Sequence, residues 1–96
     1  MKTGIELIAQ ERQEQIEKHY HTVGIDRAIN DCQQLAYMAA ALILNDWDYC
    51  PKDWEVPAMQ KMMNKPYKER VIIAAALLGA EVDRIQGDEE EKELGF

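Results

Sequence analysis

The 96-residue sequence has no serine, and its two cysteines, Cys32 and Cys50, lie far from each other and from either histidine. Without serine there is no serine nucleophile, and the cysteine spacing fits neither a zinc motif nor a disulfide framework. The five glycines are isolated, so the sequence also contains no glycine-rich phosphate loop. Free cysteines are typical of a reducing compartment, and we therefore expect a cytoplasmic protein.

Basic residues are also few, since 11 Lys and Arg face 18 Asp and Glu, for a net charge of -7. This balance argues against binding to a nucleic acid polymer. The apolar runs 35–44 and 71–80 are about half as long as a membrane span, so no membrane association is expected. With 47% hydrophobic residues, the composition predicts one globular domain over 1–87, followed by an acidic flexible tail over 88–96.

The hydrophobic periodicity predicts helices and no strands. Thr3 and Glu6 have the spacing of a capping box at the start of the first helix. Pro57 and Pro66 each favour a helix start, and Gly87 is a natural helix end. The predicted helices cover residues 4–19, residues 26–30 to about 45, residues 57–63, and residues 66–87. The chain is therefore predicted to be an all-α bundle of three long helices and one short helix.

The apolar runs of the second and last long helices are apolar on every side, which is typical of helices buried all round. Three long helices and one short helix are too few to cover both runs. We therefore expect a homodimer that completes the bundle, with the alanine-rich faces of these helices near the interface.

Two charges interrupt the apolar stripes, Arg12 in the first helix and Glu81 in the last. The simplest prediction is a buried, structural Arg12–Glu81 ion pair, because either charge alone would be costly to bury. The alternative is that Glu81 lines a polar pocket for Mg²⁺, with Glu11, Glu14 or Asp31 as further ligands.

Basic residues cluster around the last helix and could offset the charge of a bound phosphate. Lys65 and Lys68 lie at its N-terminus, where backbone N–H groups favour an anion. The candidate substrate ligands are Lys68, Arg70 and Arg84 of this helix, and Arg12 of the first. The segment 45–65 holds both tryptophans and three methionines, and it could supply adaptable contact area.

Three segments, ELIAQERQEQIEKH, DRAINDCQQLAYMAAALI and KPYKERVIIAAALLGAEVDRI, carry a family resemblance. They resemble small all-helical proteins of phages, prophages and gut bacteria that are grouped loosely with the MazG-like nucleotide pyrophosphohydrolases. The likeness spans roughly residues 5 to 86. Its most recognisable motifs are ERQxQI, QLxYxAAAL, the turn from Pro51 to Trp54, and the AExDR ending that contains Glu81.

MazG-type enzymes are helical and usually oligomeric, and they cleave nucleoside triphosphates to monophosphate and pyrophosphate with Mg²⁺ held by EExxE and ExxD motifs. Glu11 and Glu14 match two carboxylates of the first motif, whereas position 10 is Gln10. The resemblance implies nucleotide binding or hydrolysis, with Glu11, Glu14 and Glu81 as catalytic residues and the same three with Asp31 as ligands of Mg²⁺. The alternative is a non-catalytic, oligomeric accessory module in which Arg12 and Glu81 are structural.

Overall fold

The structure, a computed structural model, describes residues 1–19 and 23–93. Five α-helices make up most of this part of the chain, which contains no strand, and the all-α prediction is confirmed. The helices are α1 (Gly4–His19), α2 (Val23–Ile29), α3 (Gln34–Leu44), α4 (Val56–Met63) and α5 (Tyr67–Glu93). A single 3-10 turn, Trp47–Tyr49, lies between α3 and α4. Within the described ranges, no helix combines the length and apolar character needed to cross a membrane.

The predicted helix starts at the beginning of α1 and α4 are confirmed. The Thr3 hydroxyl accepts a hydrogen bond from the Glu6 N–H at 3.2 Å, and the Glu6 carboxylate accepts one from the Thr3 N–H at 3.1 Å. This reciprocal pair is the capping box, which satisfies two N–H groups that would otherwise lack partners. Pro57 lies in the first turn of α4, where its missing N–H costs nothing.

The second predicted helix is wrong in its first half, because the chain forms two helices there. Helix α2 ends after the backbone N–H of Asn30 donates to the Asp26 carbonyl at 2.8 Å. The chain then turns, and Gln33 adopts a left-handed conformation with φ 67° immediately before α3. A left-handed residue cannot continue a right-handed helix. The predicted end near residue 45 is confirmed, since Asn45 closes α3 with φ 51°.

Replacement of Gln33 by glycine should raise the free energy of unfolding by about 1 kcal/mol, because the left-handed region costs a residue with a Cβ about that much. Gln33 is exposed, so few packing contacts are lost. Urea unfolding followed by circular dichroism measures the change. Gln33→Ala is the matched control, since it trims the side chain and keeps the strained φ. An equal gain in both variants would contradict this account.

The predicted end of the last helix at Gly87 is wrong, because α5 continues to Glu93. Gly87 is a site of close approach rather than a cap: a Cβ at this position would lie 2.9 Å from Cδ of Arg27. Arg27 crosses the helix there, and its Nε donates to Asp88 at 2.8 Å while its Nη2 pairs with Glu91. These pairs offset the acidic charge of residues 88–93. Residues 94–96 of the predicted tail lie outside the described part.

Helix α5 is the centre of the fold, and α1, α2 and α3 all pack against it. The core lies mainly between α3 and α5, with α4 closing one end. Its buried side chains are Leu35, Met38, Ala39, Ala41, Leu42, Met59, Met63, Ile73, Ala74, Leu77 and Ala80. The molecule is only 21 Å thick in its shortest dimension, about two helix diameters. One side of α5, which carries Leu78, Val82 and Ile85, is exposed in the single chain.

Candidate binding cleft

An open cleft lies between α1 and α4. Both helices pack against α5, but no Cα atom of α1 lies within 8 Å of a Cα atom of α4. The space between them has a volume of about 990 Å³. We call this space the α1/α4 cleft; it is lined by Glu11, Glu14, Gln15, Ile29, Asn30, Asp53, Trp54, Glu55, Pro57, Ala58, Lys61, Met62, Lys65, Ile73 and Leu77. The apolar floor and the charged walls give the cleft the character of a small-molecule site.

The α1 wall is acidic. Glu11, Glu14 and Gln15 are three and four residues apart, so they lie on one face of the helix. Partial burial, and to a lesser extent the charge of Glu14, raise the pKa of Glu11 above its ordinary value of 4.5, while the nearby Lys65 opposes this shift. Two carboxylates held this close favour a bound cation or proton between them.

The α4 side of the cleft carries charges of both signs. Lys61 lies in the last turn of α4, and Lys65 follows in the connection to α5; both residues line the cleft. Asp53 and Glu55, just before α4, also line it. Lys65 is close enough to Glu11 to lower its pKa. The two lysines are the cleft's basic residues, and acidic residues line both of its sides.

A chain of hydrogen bonds joins the cleft to α2. The Trp54 indole N–H donates to the Asn30 side-chain oxygen at 2.9 Å, and the Asn30 amide donates to the buried carboxylate of Asp26 at 2.8 Å. Asn30 and Asp26 are one helical turn apart, so α2 presents both groups to the same place. This chain fixes the Trp54 ring at the edge of the cleft.

Gln15 connects the acidic wall to the floor. Its amide donates to the Ile73 carbonyl at 3.4 Å, and only 3% of the residue is exposed. Its side-chain oxygen is buried and accepts no hydrogen bond from the described residues. A buried acceptor without a hydrogen bond lowers the stability of the fold. Such a group in a native protein calls for an explanation, and a role in binding is one.

The predicted Arg12–Glu81 ion pair is wrong. Arg12 Nη2 lies 3.3 Å from Oδ2 of Asp83, on the side of α5 that faces α1. Glu81 instead pairs with Arg84, three residues later on its own helix, and Arg84 also reaches Asp88 at 3.1 Å. A partner on the same helix is held close by the helix itself, so less side-chain entropy is lost when the pair forms.

The buried Glu81–Arg84 pair is structural in this geometry. The hydrogen bond to Glu81 raises the pKa of the Arg84 guanidinium, and Asp31 lies near enough to contribute in the same direction. Glu81 and Asp31 are thus associated with Arg84, whereas Glu11 and Glu14 line the cleft. Among residues 1–19 and 23–93, no three His, Cys, Asp or Glu residues come together as metal ligands. The four predicted metal ligands are therefore divided between two places.

None of the four predicted substrate ligands lines the cleft. Arg12 and Arg84 are in the ion pairs described above. Arg70 donates to the Leu42 carbonyl at 2.6 Å and the Lys65 carbonyl at 3.0 Å, and its guanidinium lies 5.5 Å from the centre of the Tyr67 ring. Lys68 is exposed on α5 outside the cleft. Arg70 holds the end of α3 against the α4–α5 connection.

Sequence reasoning selected Lys65, at the start of the last predicted helix, but not Lys61. The two lysines are four residues apart, and the structure places Lys61 in α4 and Lys65 in the connection that follows. Asp26 and Asn30 have the same spacing. Nothing in the sequence, however, indicates that α4 lies across from α1.

We compared the chain with known protein families, with curated proteins and with solved structures, and no match was found in any of the three. The chemistry of the cleft must therefore be argued from its own residues.

Proposed function

We propose that the α1/α4 cleft binds a nucleoside triphosphate together with Mg²⁺, as in MazG-like pyrophosphohydrolases. The observation that carries the proposal is that Glu11 and Glu14 of α1 line the same cleft as Lys61 and Lys65, a cleft that Asp53 and Glu55 also line. A metal-chelated polyphosphate needs both kinds of partner. The volume of about 990 Å³ is sufficient for a nucleotide.

Each wall has a distinct role in this proposal. Lys61 and Lys65 donate charge-assisted hydrogen bonds to the phosphate oxygens. The nucleobase takes the apolar part of the cleft, against Met62, Ile73 and the edge of Trp54. An acidic chain can bind a polyphosphate in this way because the phosphate charge is offset locally by the lysines and the metal.

The two carboxylates on α1 are too few for a metal that takes all of its ligands from the protein, but they suit Mg²⁺. Mg²⁺ is usually bound by one or two carboxylates together with substrate phosphates and water. Glu11 and Glu14 supply two carboxylates at the cleft, and their mutual repulsion favours a shared cation. Glu81 and Asp31, on the far side beside Arg84, are not needed in this arrangement.

Hydrolysis is the second step of the proposal. Bound Mg²⁺ would polarise the phosphate and make an attacking water more acidic. Glu11 or Glu14 would accept the proton of that water through an oxygen that does not bind the metal. The water oxygen bonds to the α-phosphorus, the bond to the bridging oxygen breaks, and the products are the monophosphate and pyrophosphate.

The direct test measures stability and product for the intact protein with a panel of dNTPs, with and without Mg²⁺. Ligand at 100 times its dissociation constant should stabilise the fold by about 2.7 kcal/mol, and this shift should require Mg²⁺. Release of pyrophosphate would show that the protein hydrolyses the bound nucleotide. No stabilisation by any nucleotide in the panel would overturn the proposal.

Replacement of Glu11 by glutamine should weaken Mg²⁺-dependent nucleotide binding without lowering the free energy of unfolding. Because the folded-state pKa of Glu11 is raised, the native state holds more protons than the unfolded state above pH 4.5, so the contribution of Glu11 to stability falls as pH rises. At neutral pH the variant should therefore be as stable as the wild type or more stable, by no more than about 0.5 kcal/mol for this part-exposed group. It should lose most of its Mg²⁺-dependent stabilisation. In the wild type that stabilisation should weaken as the pH falls through the raised pKa.

Thermal unfolding from pH 4 to pH 8, with and without Mg²⁺ and dNTP, measures both effects. Glu17→Gln is the matched control, because Glu17 lies on α1, is exposed and does not line the cleft. If Glu11→Gln kept the full Mg²⁺-dependent stabilisation by nucleotide, Glu11 would not be a ligand of the metal.

A second candidate function is a binding module that does not turn over its ligand. It is favoured by the absence of a third acidic residue grouped with Glu11 and Glu14 as a metal ligand in the described chain. Mg²⁺-dependent stabilisation without pyrophosphate release would identify it. In both cases we propose that the protein works as a homodimer, because a wide apolar surface of the single chain is exposed.

A further inference from the structure

We infer that a second copy of this chain docks on the uncovered side of α3 and α5. The surface, which we call the α3/α5 face, consists of Ala36, Ala40, Ile43, Leu44, Val71, Ala75, Leu78, Val82 and Ile85. Leu78, Val82 and Ile85 are 47%, 53% and 42% exposed, although all three are large apolar side chains of the same helix. None of these side chains carries a charge. The inference concerns a surface away from the α1/α4 cleft and does not depend on nucleotide binding.

The spacing along α5 identifies the kind of partner. Val71, Ala75, Leu78, Val82 and Ile85 follow one another at intervals of four, three, four and three residues. This alternation keeps a helix seam facing a second helix, and it is the repeat by which helices pack as knobs into holes. The buried side chains of α5, such as Ile73, Leu77 and Ala80, lie on a different side. Helix α5 thus has two apolar sides, one used within the chain and one free for a neighbour.

The shape of the face is suited to receive a side chain. Between α3 and α5 lies a shallow hollow of about 340 Å³, lined only by apolar residues: Ala36, Ala39, Ala40, Ile43, Leu44 and Leu78. The small alanines of α3 form its floor, and Leu78 forms one rim. In a two-fold pair each copy presents both the hollow and the projecting leucine, so the surface is complementary to itself.

Charge also favours a second copy. With 18 acidic residues in 96, two chains repel one another over most orientations, and the α3/α5 face is an uncharged surface through which they can meet. Residues 71–85 extend about 21 Å, and two adjacent helices are roughly 20 Å across, for a projected area of roughly 400 Å². A standard interface removes about 800 Å² of accessible surface per partner. The accessible area of a corrugated face exceeds its projection, so an interface here falls at the small end of the range, which is typical of weak dimers.

The test is the mass of the intact protein in solution, measured by sedimentation equilibrium over a range of micromolar concentrations. The wild type should have twice the 11.1 kDa mass of the chain. Leu78→Glu with Val82→Glu should weaken association by about 100-fold or more, because like charges would be buried against each other. Both residues are about half exposed in the single chain, so the helical circular dichroism should be retained.

Val56→Glu is the matched control, because Val56 is 57% exposed on α4, away from the face. This variant should remain dimeric. A monomeric wild type, or a double variant that remains dimeric, would overturn the inference; a monomer would instead point to a different protein as the partner. Thermal shifts with Mg²⁺ and dNTP on the same samples report the cleft separately, so failure of one proposal can be distinguished from failure of the other.

Discussion

Replacement of Arg84 by methionine should lower the free energy of unfolding by about 3–5 kcal/mol, the usual cost of removing one partner of a buried ion pair. Arg84 is 8% exposed and Glu81 is 7% exposed, so the remaining carboxylate has little access to water. Methionine has a similar length and keeps most of the packing. Since domains are stable by only about 5–15 kcal/mol, this is a large share of the total stability. Urea unfolding at neutral pH measures the loss.

The double variant Glu81→Gln with Arg84→Met tests the cause of this loss. It removes both charges, so it should be less destabilised than Arg84→Met alone. A loss equal to or greater than that of the single variant would mean that packing, and not the uncompensated carboxylate, dominates.

Arg27→Met is the matched control for charge. Arg27 also bridges to α5, through Asp88 and Glu91, but its side chain is part-exposed and its partners are about half exposed. Exposed pairs contribute about 0–1 kcal/mol, and the control should lose no more than that. Equal losses for Arg27→Met and Arg84→Met would contradict the assignment of the Glu81–Arg84 pair as the buried one.

The helix starts could be predicted from the sequence because their signals are local. Thr3 and Glu6 form a capping box whatever surrounds them, and Pro57 favours a first helical turn by the geometry of its own ring. The turn before α3 could not be predicted in the same way. Gln33 occupies a left-handed position that glycine or asparagine would have marked, so the sequence carried no signal for the break.

The prediction that α5 ends at Gly87 was wrong for a different reason. A glycine at this position has two interpretations, and only the tertiary structure distinguishes them. As a cap it would end the helix; as a residue without a Cβ it lets Arg27 lie across the helix. The second holds because α2 packs against α5, a contact that local sequence does not encode. The partner of Arg12 depended likewise on the rotation of α5, which brings Asp83 and not Glu81 toward α1.

The α1 side of the cleft was accessible to sequence reasoning, and the α4 side was accessible only at Lys65. Glu11 and Glu14 lie on one helix face by their spacing alone. Lys61 lies in α4 and Lys65 in the connection after it, and their position relative to α1 depends on how α1 and α4 pack against α5. Basic residues were sought instead along α5, where Arg70 and Arg84 are used for internal contacts.

Replacement of both Lys61 and Lys65 by methionine should therefore weaken Mg²⁺-dependent nucleotide binding by about 100-fold. A hydrogen bond to a charged group contributes about 1.5–3 kcal/mol, and the lower value for each lysine already gives that factor for two. Methionine retains the apolar stem that lines the cleft, so stability without ligand should change little. Isothermal titration with a dNTP and Mg²⁺ at fixed ionic strength measures the affinity.

The matched control is Lys68→Met with Lys92→Met, which removes the same net charge from two exposed positions on α5 outside the cleft. If phosphate is bound between α1 and α4, this variant should bind nucleotide within about threefold of the wild type, the range expected from long-range charge alone. Lys68 was selected together with Lys65 as an anion ligand from the sequence, and it lies outside the cleft, so the comparison decides between two locations for the phosphate. A large loss in the control with little change in Lys61→Met and Lys65→Met would move the phosphate to the start of α5. A large loss in the cleft variant alone would assign the phosphate to the wall opposite Glu11 and Glu14, where a metal and its nucleotide can be held together.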